Sequence, residues 1–249
     1  MTARLALFLA LFCAFSVGWG RLLWYLDERS NIVRSLTFAI MTRSTRTAPE
    51  IKSALLTCAY LACGAIGIVG FSIGFGLDPR AILRTPAQAG LLITLGIFAE
   101  LSLSSLFMSL LFAVTGLRVN PAEAIGEIPW IAGINQLPPM IRPLAPAFSG
   151  FVEETFFRGA ALLILTTRFD VHPVLAILLV TLVFTVEQLL QTRTAVQAAM
   201  IGAGCLSISF VGGLLVVITQ SGLAASLVHA SFVAFYFRPM GRSPQALRA

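Results

Sequence analysis

The sequence predicts an all-α fold: a polytopic transmembrane helix bundle of about seven spans, in a single domain over residues 1–249. Of the 249 residues, 57% are hydrophobic and only 11% are charged, and the mean hydropathy is +0.90. A soluble domain carries about 25% charged residues, so this composition fits lipid rather than water as the solvent. Several apolar runs also reach the roughly 20 residues that a helix needs to cross the hydrocarbon. We therefore expect an integral membrane protein embedded in a lipid bilayer.

Seven apolar runs define the candidate spans. The first follows Arg4 without a small-residue cleavage site, so we interpret it as a retained span rather than as a signal peptide. In the second, Gly70 and Gly74 have the spacing of a close helix contact. The sixth holds four glycines between Gly202 and Gly213, which predicts a broken or tilted helix and leaves a range of six to eight spans. The runs are 4–26, 53–77, 90–117, 146–167, 172–191, 195–219 and 221–237.

Two connecting segments carry structural signals of their own. Residues 27–52 mix five basic residues with apolar ones, which predicts an interfacial amphipathic helix, and a solvated basic loop fits nearly as well. Residues 118–146 hold six prolines and cannot form one continuous helix. We expect this second segment to be either a plain linker or a lid over a site.

The distribution of basic residues predicts the orientation in the membrane. With seven spans, eleven Arg and Lys residues flank one side, three of them in the tail after residue 237, and four flank the other side. The first side is expected to be cytoplasmic, with the N-terminus outside, and we expect the membrane to be the cell inner membrane. The basic residues border apolar runs and form no patch with aromatic residues, so the net charge of +6 does not predict nucleic-acid binding.

Cysteine usage indicates neither a disulfide framework nor a metal site. The cysteines all lie in apolar runs without metal-type spacing and are expected to be packing residues. A zinc site needs about three protein ligands, and no such set is arranged suitably in the sequence, so neither metal nor cofactor is predicted. The residues concerned are Cys13, Cys58, Cys63 and Cys205.

Ionisable side chains inside the spans are the strongest functional signal. A charge at the centre of a transmembrane helix costs about 2.5–3.5 kcal/mol on insertion scales, so these residues are functional candidates. Glu100, which lies among serines, is expected either to hydrogen-bond across helices or to contribute to a cavity. The full set is Glu100, Glu153, Glu154, Arg158, Glu187 and His229.

The fourth span carries the densest group of ionisable residues, within the segment Glu153–Gly159. On a helix Glu154 and Arg158 are i,i+4 neighbours and can pair, while Glu153 lies about 100° around on the same broad side. Two adjacent carboxylates in a poorly solvated site repel each other, so one of them is suited to take a proton from water as a general base. An ion pair that only joins helices fits these residues equally well.

This Glu-Glu-x-x-Phe-Arg-Gly segment resembles the first motif of the CAAX protease and bacteriocin-processing family (CPBP or Abi), whose members are intramembrane glutamic endopeptidases. The family's second motif, F-x-x-x-H, corresponds to Phe184–Gln188, and its third, H-x-x-x-N, to His229–Val233. The resemblance covers roughly residues 140–237, which would be the catalytic core. The preceding spans match the family only in being hydrophobic.

The resemblance implies roles for individual residues. Glu153 would activate water as the general base, Glu154 would support it, and Arg158 would hold the carboxylates. In the topology predicted from the basic residues, Glu153 lies in the cytoplasmic half of the membrane, as do Gln188 and His229. That agreement indicates one shared site facing the cytoplasm.

Two motif positions are altered in this chain. Gln188 replaces the histidine that shares in activating water, and an amide cannot accept a proton at neutral pH. In the family the third-motif histidine and asparagine help to stabilise the oxyanion; His229 keeps the histidine, but Val233 replaces the asparagine. Losing an acid–base group costs about 10²- to 10⁴-fold in rate, and losing an oxyanion donor costs about 10²- to 10³-fold. Glu187 projects about 100° away from Gln188 on a helix, so we do not expect it to replace the histidine.

Three functions are compatible with these residues. The first is an intramembrane endopeptidase that hydrolyses a peptide or membrane-protein substrate with a water activated by Glu153. The alternative, favoured by Gln188 and Val233, is a catalytically degenerate pseudoprotease that binds or scaffolds a partner in the membrane. The third is a small transporter that couples its substrate to protons through the buried carboxylates. The sequence identifies neither the substrate nor the oligomeric state.

Overall fold

The computed structural model describes residues 2–236, and the predicted all-α fold is confirmed within them. The tail residues Arg238, Arg242 and Arg248, which entered the prediction of orientation, lie outside the described residues. The helices are α1 (Thr2–Glu28), α2 (Asn31–Met41), α3 (Ala48–Phe75), α4 (Pro79–Ile82), α5 (Ala89–Thr115), α6 (Pro121–Gly126), α7 (Pro129–Asn135), α8 (Leu144–Glu154), a π-helical segment (Thr155–Leu162), α9 (Leu163–Thr167), α10 (Pro173–Leu189), α11 (Ala195–Thr219) and α12 (Leu223–Tyr236).

Four helices, α1, α3, α5 and α11, are long and apolar enough to cross a membrane. Of these, α5 is the least buried and α11 the most, which makes α11 the most central of the four. The other apolar stretches are shorter or change helix type. Helix α10 has 17 residues and α12 has 14, while α8, the π segment and α9 run without a break from Leu144 to Thr167. The structure therefore indicates an integral membrane protein, and the count of about seven spans stays a prediction.

The connections at one end of the bundle are tied together by ion pairs. The Lys52 ammonium pairs with the Asp27 carboxylate, and the Arg193 guanidinium lies 3.8 Å from the Glu28 carboxylate. These contacts join the segment after α1, the start of α3 and the segment after α10. Exposed pairs of this kind contribute only about 0–1 kcal/mol each, so they fix the arrangement of the ends more than they stabilise the fold. We call this end the basic end.

At the opposite end, the start of α12 packs tightly against the segment after α3. The backbone N–H of Gly222 donates to the Ile82 carbonyl at 2.7 Å, and the Ser221 hydroxyl donates to the Arg84 carbonyl at 2.6 Å. A Cβ on Gly159, in the π segment, would lie 3.5 Å from the Gly222 Cα. Since α12 begins at the level of Gly159, its middle turns face the end of α8, where the site lies.

Residues 27–52 contain the predicted amphipathic helix as α2. Ser30 caps its N-terminus, accepting a hydrogen bond from the backbone N–H of Val33 at 3.3 Å. Val33 and Thr37 are buried, whereas Ile32 and Phe38 are exposed. The helix therefore presents apolar side chains outward, as an interfacial helix would, and its position in the membrane interface stays a prediction.

The proline-rich segment is broken into α6 and α7 and two turns, as its prolines predict. Ile128 and Leu137, at either end of α7, are almost wholly buried. Gln197 in α11 donates from its amide to the Ala124 carbonyl at 3.1 Å, which ties α6 to the bundle. The segment is thus packed onto the basic end of the bundle.

Aromatic rings fill the core between α1, α3 and the π segment. Trp19 stacks on Phe157 with ring centroids 6.0 Å apart and contacts Phe156 edge-on at 5.6 Å. Edge-to-face and offset pairs of this kind add about 0.5–1.5 kcal/mol each beyond the area they bury. They hold the π segment in place, immediately after the adjacent glutamates. The cluster comprises Phe8, Phe12, Phe15, Trp19, Phe71, Phe75, Phe156 and Phe157.

Glycines set the closest helix approaches, but not always where the sequence predicts them. Helix α11 is continuous over Ala195–Thr219, so a break there is wrong, while the alternative of a tilted helix stays a prediction. Two of its glycines, Gly212 and Gly213, permit close packing. A Cβ on Gly212 would overlap Glu154 Oε1. The predicted close contact at Gly70 and Gly74 is also wrong, because no described atom lies within 4 Å of a Cβ at either position.

Candidate active site

Glu153 lies in the last turn of α8 and is held from two sides. Its Oε1 accepts a hydrogen bond from the Tyr60 hydroxyl at 2.8 Å, and its Oε2 accepts one from Gln188 Nε2 at 3.3 Å. Tyr60 is itself fixed by Trp19, whose indole N–H donates to the Tyr60 carbonyl at 3.1 Å. Only 8% of Glu153 is exposed, so this carboxylate is oriented by α3 and α10 rather than by solvent.

A cavity of about 260 Å³ opens beside Glu153. It has room for several water molecules, each of which occupies about 30 Å³ in the liquid. Glu153, Tyr60 and Gln188 lie in its wall, together with Trp130 of α7. The other ionisable residues of its lining are at the basic end: Arg21, Asp27, Glu28 and Arg193. Residues of the proline-rich segment, Pro129, Trp130, Gly133 and Ile134, thus line the cavity, and a role as its lid stays a prediction.

His229 lies behind Glu153 rather than in the cavity wall. Its Nε2 is 3.9 Å from Glu153 Oε2, and its ring packs against Gly150, where a Cβ would lie 3.0 Å from His229 Cδ2. The third-motif histidine and the first-motif glutamate are therefore brought together. Gln188 shares the cavity with Glu153, whereas the imidazole contacts the carboxylate from the protein interior.

Glu154 and Arg158 form an ion pair away from the cavity. Arg158 Nη1 lies 3.1 Å from Glu154 Oε2, and the two residues are 1% and 0% exposed. The guanidinium also donates to the Ser209 hydroxyl and stacks on the Phe184 ring at 4.2 Å. The pair thus joins the π segment to α10 and α11. Removing one partner of a buried pair costs about 3–5 kcal/mol, so each residue is needed to keep the other stable. Their place away from the cavity favours a supporting role for both.

Gln188 bridges two carboxylates through one amide nitrogen. Its Nε2 donates to Glu153 Oε2 at 3.3 Å and to Glu187 Oε2 at 2.9 Å. Glu187, which is wholly buried, also accepts from Gln191 Nε2 at 2.9 Å. With both amide hydrogens committed to carboxylates, the carbonyl oxygen of Gln188 is the group left for the cavity. Glu187 thus contacts the motif residue itself, although its backbone position points elsewhere on the helix.

Tyr60 and Glu100 are the partners that sequence reasoning did not assign to the site. Glu100 of α5 is 1% exposed, and its Oε1 lies 3.3 Å from His229 Nδ1. A tyrosine inside an apolar span carries no distinguishing sequence signal. Glu100, by contrast, is marked by its charge, and the structure shows that it hydrogen-bonds across helices.

Metal-binding geometry is not found among residues 2–236: no group of three or more His, Cys, Asp or Glu side chains there could hold an ion. Cys13, Cys58, Cys63 and Cys205 are all free thiols, and only Cys205 is fully buried. The polar groups that meet at the site are carboxylates, an amide, a phenol and an imidazole. This donor set is suited to acid–base chemistry on water.

The helix bundle thus holds a carboxylate, Glu153, on a cavity with the His229 imidazole behind it. Comparison with known families agrees: residues 135–235 match the family model of the Rce1-like type II CAAX prenyl endopeptidases. These residues form a domain of that family, a family of membrane-embedded glutamic proteases, and the resemblance noted in the three motifs is confirmed. No curated protein and no solved structure was found to be similar to this chain.

Proposed function

We propose that the chain is an intramembrane endopeptidase in which Glu153 activates a water in the cavity for attack on a peptide bond. The observation that carries this proposal is the position of Glu153, which is held by the Tyr60 hydroxyl and the Gln188 amide and faces a cavity of about 260 Å³. A general base must lie within hydrogen-bond reach of the water that it activates, and this cavity supplies that position.

The proposed step is acid–base hydrolysis. The O–H bond of the water breaks as its proton passes to Glu153, and the water oxygen bonds to the carbonyl carbon of the substrate. The proton then moves from Glu153 to the leaving nitrogen as the C–N bond breaks. The free carbonyl oxygen of Gln188 accepts a hydrogen bond from the same water and orients it. Gln188 therefore positions the water without exchanging protons.

Glu154 and Arg158 support this step from outside the cavity. Their ion pair fixes the helical turn that follows Glu153, and both side chains are closed off from solvent. Catalysis by oriented groups is lost by displacements of about 1 Å. Replacing either residue is therefore expected to lower activity by moving Glu153.

The substrate class is a peptide or membrane-protein segment that enters from the basic end. Arg21 and Arg193 border the cavity there together with Asp27 and Glu28, and a polypeptide backbone can hydrogen-bond to both kinds of charge. The positive-inside rule assigns this end to the cytoplasm, and the proposed location is the cell inner membrane. The lipid bilayer is then in contact with the exposed apolar faces of the helices.

A second candidate is a pseudoprotease that binds a peptide in the same cavity without cutting it. The observation in its favour is that Gln188 and Val233 stand where the family has an acid–base histidine and an oxyanion donor. Val233 packs beside Gly150 and supplies no donor. The two losses together leave a rate roughly 10⁴-fold or more below that of an intact site. Turnover that slow favours a role in binding rather than in cleavage.

The test is proteolysis by the full chain in liposomes, with a mixture of synthetic peptides as substrate and H₂¹⁸O as solvent. Mass spectrometry then detects new peptide C-termini that carry ¹⁸O. We expect labelled products from the wild type and from the control Glu127→Gln, which changes an exposed carboxylate, and none from Glu153→Gln. Equal labelling in Glu153→Gln, or no product from folded wild type, would contradict the endopeptidase.

A further inference from the structure

A buried carboxylate from outside the matched family domain contacts the histidine of the site. Glu100 lies on α5, ahead of residues 135–235, and its Oε1 is 3.3 Å from His229 Nδ1. The two residues are 1% and 3% exposed. The contact is therefore shielded from water. In the protein interior a carboxylate and an imidazole interact more strongly than at a surface.

The contact determines which ring nitrogen of His229 carries hydrogen. A carboxylate accepts and does not donate, so its neighbour Nδ1 must be protonated. The other nitrogen, Nε2, is then directed toward Glu153 Oε2 at 3.9 Å. A carboxylate that fixes an imidazole in this way sets its tautomer and its orientation and stabilises the imidazolium. The order Glu100, His229, Glu153 is thus a chain of groups suited to hold a proton.

The loss of the second-motif histidine makes this chain of groups more important. The whole sequence has two histidines, and the other, His172, is exposed at the start of α10. Gln188 cannot accept a proton. His229 is therefore the single imidazole that can exchange a proton with Glu153, and Glu100 is the group that prepares it.

We propose that Glu100 is a positioning residue of this site, which holds His229 with Nδ1 protonated and Nε2 toward Glu153. The catalytic consequence of this inference rests on the proposed function. The protonation and orientation of the ring rest on geometry alone. During turnover the proton taken from water rests on His229 Nε2, between the carboxylates of Glu100 and Glu153. It returns by way of Glu153 to the leaving nitrogen, so the imidazole ends each cycle unchanged.

The first experiment reads the ring directly and needs no activity. In a His172→Asn background His229 is the only histidine, so ¹⁵N NMR of histidine-labelled protein reports it alone. The charged groups that act on its ring are Glu100 from α5 and Glu153 and Glu154 from α8. We expect a protonated Nδ1 at pH 7 in this background, and a ring that exchanges between both tautomers after Glu100→Gln. Identical spectra would overturn the proposal.

A matched control separates this effect from a general disturbance of α5. Ser104 lies one helical turn from Glu100, is also buried, and has no part in the proposed site. Ser104→Ala is expected to leave the His229 spectrum unchanged. The thermal unfolding midpoint of each variant identifies any that has lost its fold. A His229 spectrum altered equally by Ser104→Ala would show that the ring responds to packing and would overturn the assignment.

The second experiment measures coupling in the cleavage assay. Glu100→Gln is expected to lower kcat by about 10²-fold, at the lower end of the effect of a lost acid–base group, with KM changed less than about threefold. In a His229→Ala background the same change should have no further effect on kcat, because the two residues act as one unit. Independent, multiplicative losses would overturn the coupling. Absence of cleavage by the wild type would defeat the proposed function, and the ring state would still be decided by NMR.

Discussion

Gly212→Ala tests the closest approach to a glycine among the described residues. A Cβ at this position would overlap Glu154 Oε1 and lie 3.1 Å from the Glu154 Cδ. Ordinary contacts of a Cβ begin near 3.4 Å, so either α11 or the Glu154 side chain must move. Glu154 is closed off from solvent and paired with the equally buried Arg158, so it has no open space to enter.

The magnitude follows from two costs and one gain. Inserting a methyl group into a packed interior costs about 1–3 kcal/mol, and loosening a buried ion pair adds up to about 3–5 kcal/mol. Replacing a mid-helix glycine by alanine returns about 0.5–1 kcal/mol. We therefore expect a net loss of about 2–4 kcal/mol, which lowers the thermal midpoint by roughly 5–15 °C for a chain of this size.

Thermal unfolding of purified protein in one detergent, read by circular dichroism, provides the measurement. Gly204→Ala is the matched control, because it lies on the same helix and no described atom is within 4 Å of its Cβ. That variant should unfold at or slightly above the wild-type temperature. If Gly212→Ala were as stable as Gly204→Ala, the close approach of Glu154 to α11, and the support it gives to the site, would be refuted.

Two further predictions concern the groups around Glu153. Tyr60→Phe removes the hydroxyl that orients the carboxylate and keeps the ring against Trp19. Because a hydrogen bond to a charged group is worth about 1.5–3 kcal/mol, we expect kcat to fall at least about 10-fold. The control is Tyr25→Phe, at an exposed tyrosine. Unchanged kcat in Tyr60→Phe would refute the orienting contact. The double variant Gln188→His, Val233→Asn restores both altered motif positions, and we expect kcat to rise at least about 10-fold in the ¹⁸O assay. A double variant no faster than the wild type would count against a degenerate protease.

The positions of the site residues along the chain could be predicted from the sequence because charge inside a membrane span is costly. That fact pointed to Glu153, Glu154, Arg158 and His229, whereas Gln188 was assigned from the resemblance to the second motif of the CPBP family. The structure brings Glu153 within 3.3 Å of Gln188 and 3.9 Å of His229. Their catalytic roles remain predictions that the Glu153→Gln and Glu100→Gln experiments test.

The partners of these residues could not be predicted, because the spacing of residues along one helix does not show which other helix packs against it. Tyr60 reaches Glu153 across a sequence separation of 93 residues, and Glu100 reaches His229 across 129. Glycine spacing failed for the same reason. The Gly70 and Gly74 pattern is right for a contact, but a Cβ at Gly64 would overlap Val152 while those at Gly70 and Gly74 would meet nothing described within 4 Å. A motif gives the spacing of small residues and not the face that meets a neighbour.

The choice between a slow protease and a binding protein depends on what Gln188 does with its one free group. Its amide hydrogens are shared between Glu153 and Glu187, so the pair of carboxylates fixes the amide and leaves its carbonyl oxygen to the cavity. A carbonyl there accepts a hydrogen bond from water. This orients the nucleophile but neutralises no charge in the transition state. Glu153 and His229 then handle every proton, and the loss falls on kcat rather than on KM. A pseudoprotease under no such demand has no need for Glu100 to hold His229, and the buried contact between those two residues therefore favours the catalytic interpretation.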